Sequence, residues 1–334
     1  MPGKEISLPR YAMSKGRILI SIQWGVSVVL VWYLLSKIDF EESFHALRNV
    51  NVALLMLSVV QSALQPVLGA LRWVLTVRAL GGELRFAAAL RYVWIGTFFS
   101  QALPGVLGGD LVRIWLYWRD GAGHRLAINS VALGTVIMML SLFILVAAVQ
   151  PGLVARSGSL VATWLPLLML AAAVCGLAML MFSDRLVRRF YHLRPFRAIS
   201  YLAVDARQTL GHPFIFAALL FISILAYLNM AITVWLIALA LGLNVSVADC
   251  LVLVPVVVLA ATIPISVGGW GVRESAIVVL FATIGVSSGH ALTLSVLFGI
   301  TGILVSLPGV AFWLSSGFRR SDILQAAAFT TPKE

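Results

Sequence analysis

Long apolar runs alternate with short, strongly basic polar segments along this chain. Apolar runs at about 18–35, 52–71, 126–149, 159–181, 214–241 and 291–314 each hold roughly 20 residues, the length that crosses hydrocarbon as a helix. They predict six full transmembrane helices. The segment 39–48 sets Phe40, Phe44 and Leu47 on one helical face, which predicts a short helix lying in the interface. The segment 183–213 carries Arg185, Arg188, Arg189, Arg194, Arg197 and Arg207 around Pro195, and its spaced apolar residues predict two further interfacial helices. Arg72-Trp73 closes the second run and reads as an interface anchor. Trp24, Trp32, Trp94, Trp115, Trp118 and Trp313 read as the same aromatic belt, and Pro151-Gly152 as the loop between the third and fourth runs.

Two stretches interrupt this pattern in the same way. The first contains Leu103-Pro104-Gly105-Val106-Leu107-Gly108-Gly109-Asp110-Leu111-Val112-Arg113. The second contains Ile263-Pro264-Ile265-Ser266-Val267-Gly268-Gly269-Trp270-Gly271-Val272-Arg273, followed by Glu274. Both read apolar, Pro, two residues, apolar, Gly, Gly, two residues, Val, Arg, at a constant offset of 160 residues. Pro removes a helix hydrogen bond and the Gly pair permits a sharp change of direction. Each stretch therefore predicts a broken-helix hairpin, at about 92–118 and about 251–284.

Charge orients these elements. If both hairpins return to the side they entered from, 20 of the 24 Lys and Arg residues fall on one face, which also holds both termini. The other face keeps Lys37, Arg48 and Arg156, with Arg273 inside the second hairpin. The positive-inside rule assigns the rich face to the cytoplasm. The two hairpins then enter from opposite sides, and the chain reads as an inverted repeat: an all-α polytopic membrane protein with about six full spans and two oppositely oriented re-entrant hairpins. Its parts are a cytoplasmic segment 1–17, one membrane domain 18–315 and a cytoplasmic tail 316–334.

Composition agrees with this class and narrows the chemistry. The chain of 334 residues is 61% apolar and 11% charged, against about 25% charged in a soluble domain. In a membrane protein a net charge of +11 points to anionic headgroups, not to nucleic acid. Cys175 and Cys250 lie in or beside apolar runs, and the five His residues have no ligand spacing, so neither a disulfide framework nor a metal site is expected. No cleavable signal peptide is evident, because the first run is long enough to span and lacks a small-residue cleavage site. No nucleophile–base pair and no nucleotide-binding loop is visible, so neither catalysis nor a cofactor is expected.

A break in hydrocarbon survives only where protein or a water-filled cavity satisfies the freed backbone groups. The helices restarting after Gly108-Gly109 and Gly268-Gly269 aim N–H groups at the tips, which favours an anion. Arg113 and Arg273 sit one turn further on, and an Arg at bilayer depth costs about 2.5–3.5 kcal/mol on insertion scales. Two readings stand side by side. Arg113 and Arg273 bind or gate an anionic ligand; or they form internal pairs with Asp110 and Glu274 that hold the hairpins. The expected ligand-contacting set is Arg113, Arg273, Asp110, Glu274, Gly108, Gly109, Gly268, Gly269, Pro104, Pro264, Gln101 and Ser266. Ser100, Asn129, Thr262 and Asn229 are further polar residues open to either a cavity or a helix–helix role.

On these residues the chain resembles the lysylphosphatidylglycerol synthase transmembrane-region family, also called the flippase-like domain. The resemblance rests on Arg72-Trp73, on Phe98-Phe99-Ser100-Gln101-Ala102-Leu103-Pro104-Gly105 with Gly108-Gly109-Asp110 and Arg113, and on the whole second motif from Ile263 to Glu274. It implies a polytopic inner-membrane protein that handles anionic or polyprenyl-linked lipids, a membrane lipid being its partner. About 20 residues follow the last span here, so an attached soluble synthase domain, and aminoacyl transfer by this chain alone, are not expected. The family's acid–Arg pair in the span after the first hairpin has no counterpart in Ser130-Val131-Ala132-Leu133-Gly134-Thr135. The leading expectation is a lipid translocase with its headgroup site between the hairpins. The alternatives are an accessory subunit of a separate lipid or glycolipid transferase and, least supported, an intramembrane enzyme.

Overall fold

The computed structural model describes residues 47–102, 108–157, 160–182, 202–209, 211–262 and 271–315. The expected first span, the helix at 39–48 up to residue 46, most of the segment 183–213, the tail and both motif tips (103–107 and 263–270) lie outside these residues. The chain is all-helical, with no strand among the described residues. Its helices are α1 (Val52–Ser62), α2 (Leu64–Ala79), α3 (Phe86–Ala102), α4 (Gly108–Arg119), α5 (His124–Ser157), α6 (Leu160–Phe182), α7 (Pro213–Ala240), α8 (Val247–Ala261), α9 (Val272–Ala282), α10 (Ser288–Ser306) and α11 (Pro308–Ser315). Among the described residues, four stretches are long and apolar enough to cross a membrane: Val52–Ala79, His124–Ala155, Pro213–Ala240 and Ser288–Ser315.

Local sequence explains the starts and interruptions. Asn51 caps α1, its Oδ1 accepting the Leu54 N–H at 3.2 Å. Ser246 and Asp249 form a capping box on α8, Ser287 caps α10, and Pro213 opens α7. Pro66 cannot donate to the Ser62 carbonyl, and the first long stretch is interrupted at Ala63, between α1 and α2. Pro308 marks the same kind of interruption between α10 and α11.

Two expected boundaries move, and two expected belt residues turn inward. The second run does not end at Arg72-Trp73; α2 continues to Ala79, because Trp73, Val74, Thr76 and Val77 are buried against neighbouring helices. Pro151-Gly152 is no loop, and α5 runs through it to Ser157. Trp73 and Trp115, read as interface belt, are buried, at 4% and 3% exposure. Trp73 Nε1 donates to Ser130 Oγ at 3.0 Å, and its ring meets Tyr92 and Tyr117 edge-on.

Among the described residues the two largest packed clusters form one around each helix pair. Helices α2, α3, α4 and the start of α5 bury Trp73, Val77, Ile95, Trp115 and Leu116. Helices α7, α8, α9 and α10 bury Ile237, Leu253, Val257, Ile277, Phe281 and Leu294. In lipid, such packing is driven by close contact, since the surrounding tails are as apolar as the side chains. The crossing of α3 and α4 uses this directly: a Cβ on Gly109 would lie 2.0 Å from Ser100 Oγ and 2.2 Å from the Gly96 carbonyl oxygen. Likewise α11 rests on α3 at Gly309, where a Cβ would meet the Trp94 carbonyl oxygen at 2.3 Å.

The ends of these elements sort into two groups. Asn51 N–H donates to Ala240 O at 2.8 Å, joining the start of α1 to the end of α7. Leu243 and Asn244, before α8, share a surface depression with Ile284 and Ser287, after α9. At the other end, the Tyr92 hydroxyl donates to Asp120 and Tyr117 Oη donates to Glu83 O at 3.0 Å. Arg125 there pairs with Asp205 at 2.6 Å. The 28 residues of α7 connect the two ends over about 42 Å. The α3–α4 pair therefore opens at one end of the bundle, and the α8–α9 pair at the other.

Candidate functional site

Between the two packed clusters lies a cavity of about 500 Å³. That is within the range of roughly 300–1,000 Å³ usual for ligand pockets. Most of its wall is apolar, including Val93, Met138, Ile222, Val257 and Phe298. Among the described residues, its charged ones are Arg72 from α2, Asp110 and Arg113 from α4, and Arg273 from α9.

The two motif arginines are held alike. Arg113 pairs with Asp110 one turn earlier, and its Cζ lies 5.8 Å from the centre of the Trp73 ring on α2. Arg273 Nη2 lies 2.5 Å from Glu274 Oε1, and its Cζ is 5.5 Å from the centre of the Phe298 ring on α10. Each arginine thus has one carboxylate from its own helix and one aromatic face from another. The acids differ in setting. Asp110 lines the cavity. Glu274 is 3% exposed and outside the lining; its Oε2 accepts the Gly271 N–H at 2.5 Å, and Ser295 Oγ lies 3.5 Å from its Oε1. Gly271 has φ +87°, a conformation that glycine adopts without the Cβ clash.

Beside the arginines runs a ladder of amides. Asn229 Nδ2 on α7 donates to Gln65 Oε1 at 3.0 Å, and Gln61 Nε2 donates to Asn229 Oδ1 at 2.6 Å. Thr233 Oγ1 donates to Gln61 Oε1 at 2.7 Å. Gln65, Asn229 and Thr233 line the cavity. Replacing Asn229 with Leu leaves Gln61 and Gln65 short of partners. We expect a loss of about 0.6–1.7 kcal/mol, the span measured for hydrogen bonds within membranes, read as a lower unfolding temperature in detergent.

Of the motif residues expected to meet a ligand, Asp110, Arg113 and Arg273 converge on the cavity, as does Gln101 from α3. Gly109 serves the α3–α4 crossing, and Gly108 begins α4 outside the cavity lining. Pro104, Pro264, Ser266, Gly268 and Gly269 lie outside the described residues. Asn129, a cavity candidate in sequence, turns elsewhere: its Nδ2 donates to Asp205 Oδ2, which joins α5 to the helical stretch 202–209. Thr262 Oγ1 bonds back to Leu259 O at 2.7 Å.

Residues 18–309 match the family model described as the lysylphosphatidylglycerol synthase TM region. The chain belongs to that family. No curated protein matches it. In this member of the lysylphosphatidylglycerol synthase TM region family, sequence reasoning misses Arg72 and Gln65 as cavity residues. The signal is present: Gln61, Gln65 and Arg72 stand at i, i+4 and i+11, one helical face of an otherwise apolar run.

Proposed function

We propose that this chain is a flippase-like lipid translocase. Its substrate is an anionic phospholipid or polyprenyl-linked lipid, whose headgroup enters the cavity between the α3–α4 and α8–α9 pairs. The observation that carries the reading is the cavity itself. Three arginines from three separate helices line one space among apolar walls, at a depth where cations need a purpose. Membership of a lipid-related membrane family supports it.

In this reading the two helix pairs are re-entrant hairpins from opposite leaflets, and the chain is an inverted repeat. The described basic residues Arg78, Arg85, Arg91, Arg119 and Arg125 lie near the open end of the α3–α4 pair, which supports a cytoplasmic side for that end by the positive-inside rule. Rocking one repeat against the other alternates the access of the cavity between leaflets. The translocase needs no catalytic group or cofactor.

The test is transbilayer movement of a dye-labelled anionic phospholipid in vesicles that carry the purified chain. The wild type is expected to speed movement over empty vesicles. Arg113→Ala and Arg273→Ala are expected to slow it at least tenfold, about 1.4 kcal/mol. If both variants stay folded and move lipid at the wild-type rate, the site is elsewhere. A wild type that moves no lipid but co-purifies with a lipid transferase is an accessory subunit instead.

A further inference from the structure

The charges around the cavity do not balance, and the imbalance sits on one residue. Arg113 is neutralised by Asp110, and Arg273 by the buried Glu274. Arg72 has neither kind of partner: among the described residues its guanidinium makes no hydrogen bond and no ion pair. Its surroundings are those of the site, since it lines the same cavity as Arg113 and Asp110. The two motif tips outside the described residues contain no Asp or Glu that would supply a counter-charge. Among the described residues, one uncompensated positive charge therefore faces the cavity, partly buried, in the middle of a helix from Leu64 to Ala79.

Resting on the translocase reading, we infer that Arg72 is the residue that takes the lipid phosphate, and that the site is matched to a phosphodiester bearing a single negative charge. A guanidinium binds two phosphate oxygens at once, in a fork that a point cation does not reproduce. A single charge brings the cavity to neutrality. A diphosphate brings at least two, and the surplus stays unpaired where the dielectric is low. The amide ladder ends on the same face of α2. Gln65 uses Oε1 toward Asn229 and keeps its Nε2 hydrogens unshared among the described residues, about 10 Å along the helix from Arg72. Those donors suit a neutral hydroxyl-bearing group attached to the phosphate. Arg113 and Arg273 keep their importance: removing Arg113 leaves Asp110 to cancel Arg72 and abolishes the surplus charge.

The full-length chain in phosphatidylcholine vesicles tests this with three dye-labelled probes. Phosphatidylglycerol and a polyprenyl-phosphate sugar both carry a single-charge phosphodiester and distinguish a glycerolipid source from a polyprenyl one. A polyprenyl diphosphate carries the extra charge. The wild type is expected to move at least one of the first two no less than tenfold faster than the diphosphate. Arg72→Gln should lose at least tenfold of that rate, and Arg72→Lys should recover part of it. The unfolding temperature of Arg72→Gln should equal or exceed the wild-type value, since the variant removes an unpaired cation; a lower value indicates a structural residue and overturns the inference. Movement of the diphosphate as fast as either phosphodiester, or a wild-type rate in Arg72→Gln, overturns it while leaving the translocase reading in place. A wild type that moves none of the three removes both.

Discussion

Glu274→Ala is expected to lower the stability of the chain by about 3–5 kcal/mol, the cost of breaking a buried ion pair from one side. The carboxylate serves three neighbours: the Arg273 guanidinium, the Gly271 N–H and Ser295 on α10. Alanine takes the carboxylate from the first two together. Arg273 has 17% of its side chain exposed and reaches the cavity, so water recovers part of its charge and the loss falls toward the lower bound. Glu274→Gln keeps an acceptor for the Gly271 N–H but not the charge, and should lie between the wild type and Ala. Unfolding temperatures of the purified chain in detergent check the order. The double variant Arg273→Ala, Glu274→Ala should recover stability relative to Glu274→Ala alone, because the cation that lost its buried carboxylate is removed with it. Equal unfolding temperatures for the wild type and Glu274→Ala would show that the pair does not hold the start of α9.

Gly109→Ala is expected to cost about 3 kcal/mol, the upper end for overpacking. The added methyl falls 2.2 Å from a backbone oxygen of Gly96, and backbone gives less than the end of a side chain. The α3–α4 pair must separate, and Arg113 moves with it, because Gly96 itself packs on the Arg113 Cγ. Gly134→Ala is the control. That glycine sits within α5 with nothing within 4 Å of its added Cβ, so Ala there should gain about 0.5–1 kcal/mol of helix preference. The same chemical change thus has opposite signs at two positions. A Gly109→Ala chain that unfolds at the wild-type temperature contradicts the close crossing.

Much of this molecule is legible in its sequence, for physical reasons that can be named. Hydrocarbon tolerates few structures, so apolar runs of helical length specify helices with little ambiguity. The repeated motif is visible because Pro, paired Gly and Arg are all costly at that depth, and Asp110, Arg113 and Arg273 come from it. Legibility fails where a residue's role depends on a neighbour distant in the chain. Arg72-Trp73 has the appearance of an interface anchor, and only the packing of Trp73 against Ser130, Tyr92 and Tyr117 carries α2 onward and leaves Arg72 inside. Asn129 looks equally suited to a cavity, and Asp205, 76 residues away, takes it.

The sequence by itself determined the helical membrane class, the two motif positions and the local acid beside each arginine, because hydropathy and i to i+3 neighbours are properties of a short stretch. The tertiary structure alone decided that Arg113 and Arg273 share one cavity, that Arg72 joins them without a counter-ion among the described residues, and that Glu274 stands behind that cavity. Those facts depend on which helices meet, and in lipid that choice rests on close packing at particular surfaces, such as Gly96 on Gly109, which no single stretch of sequence displays.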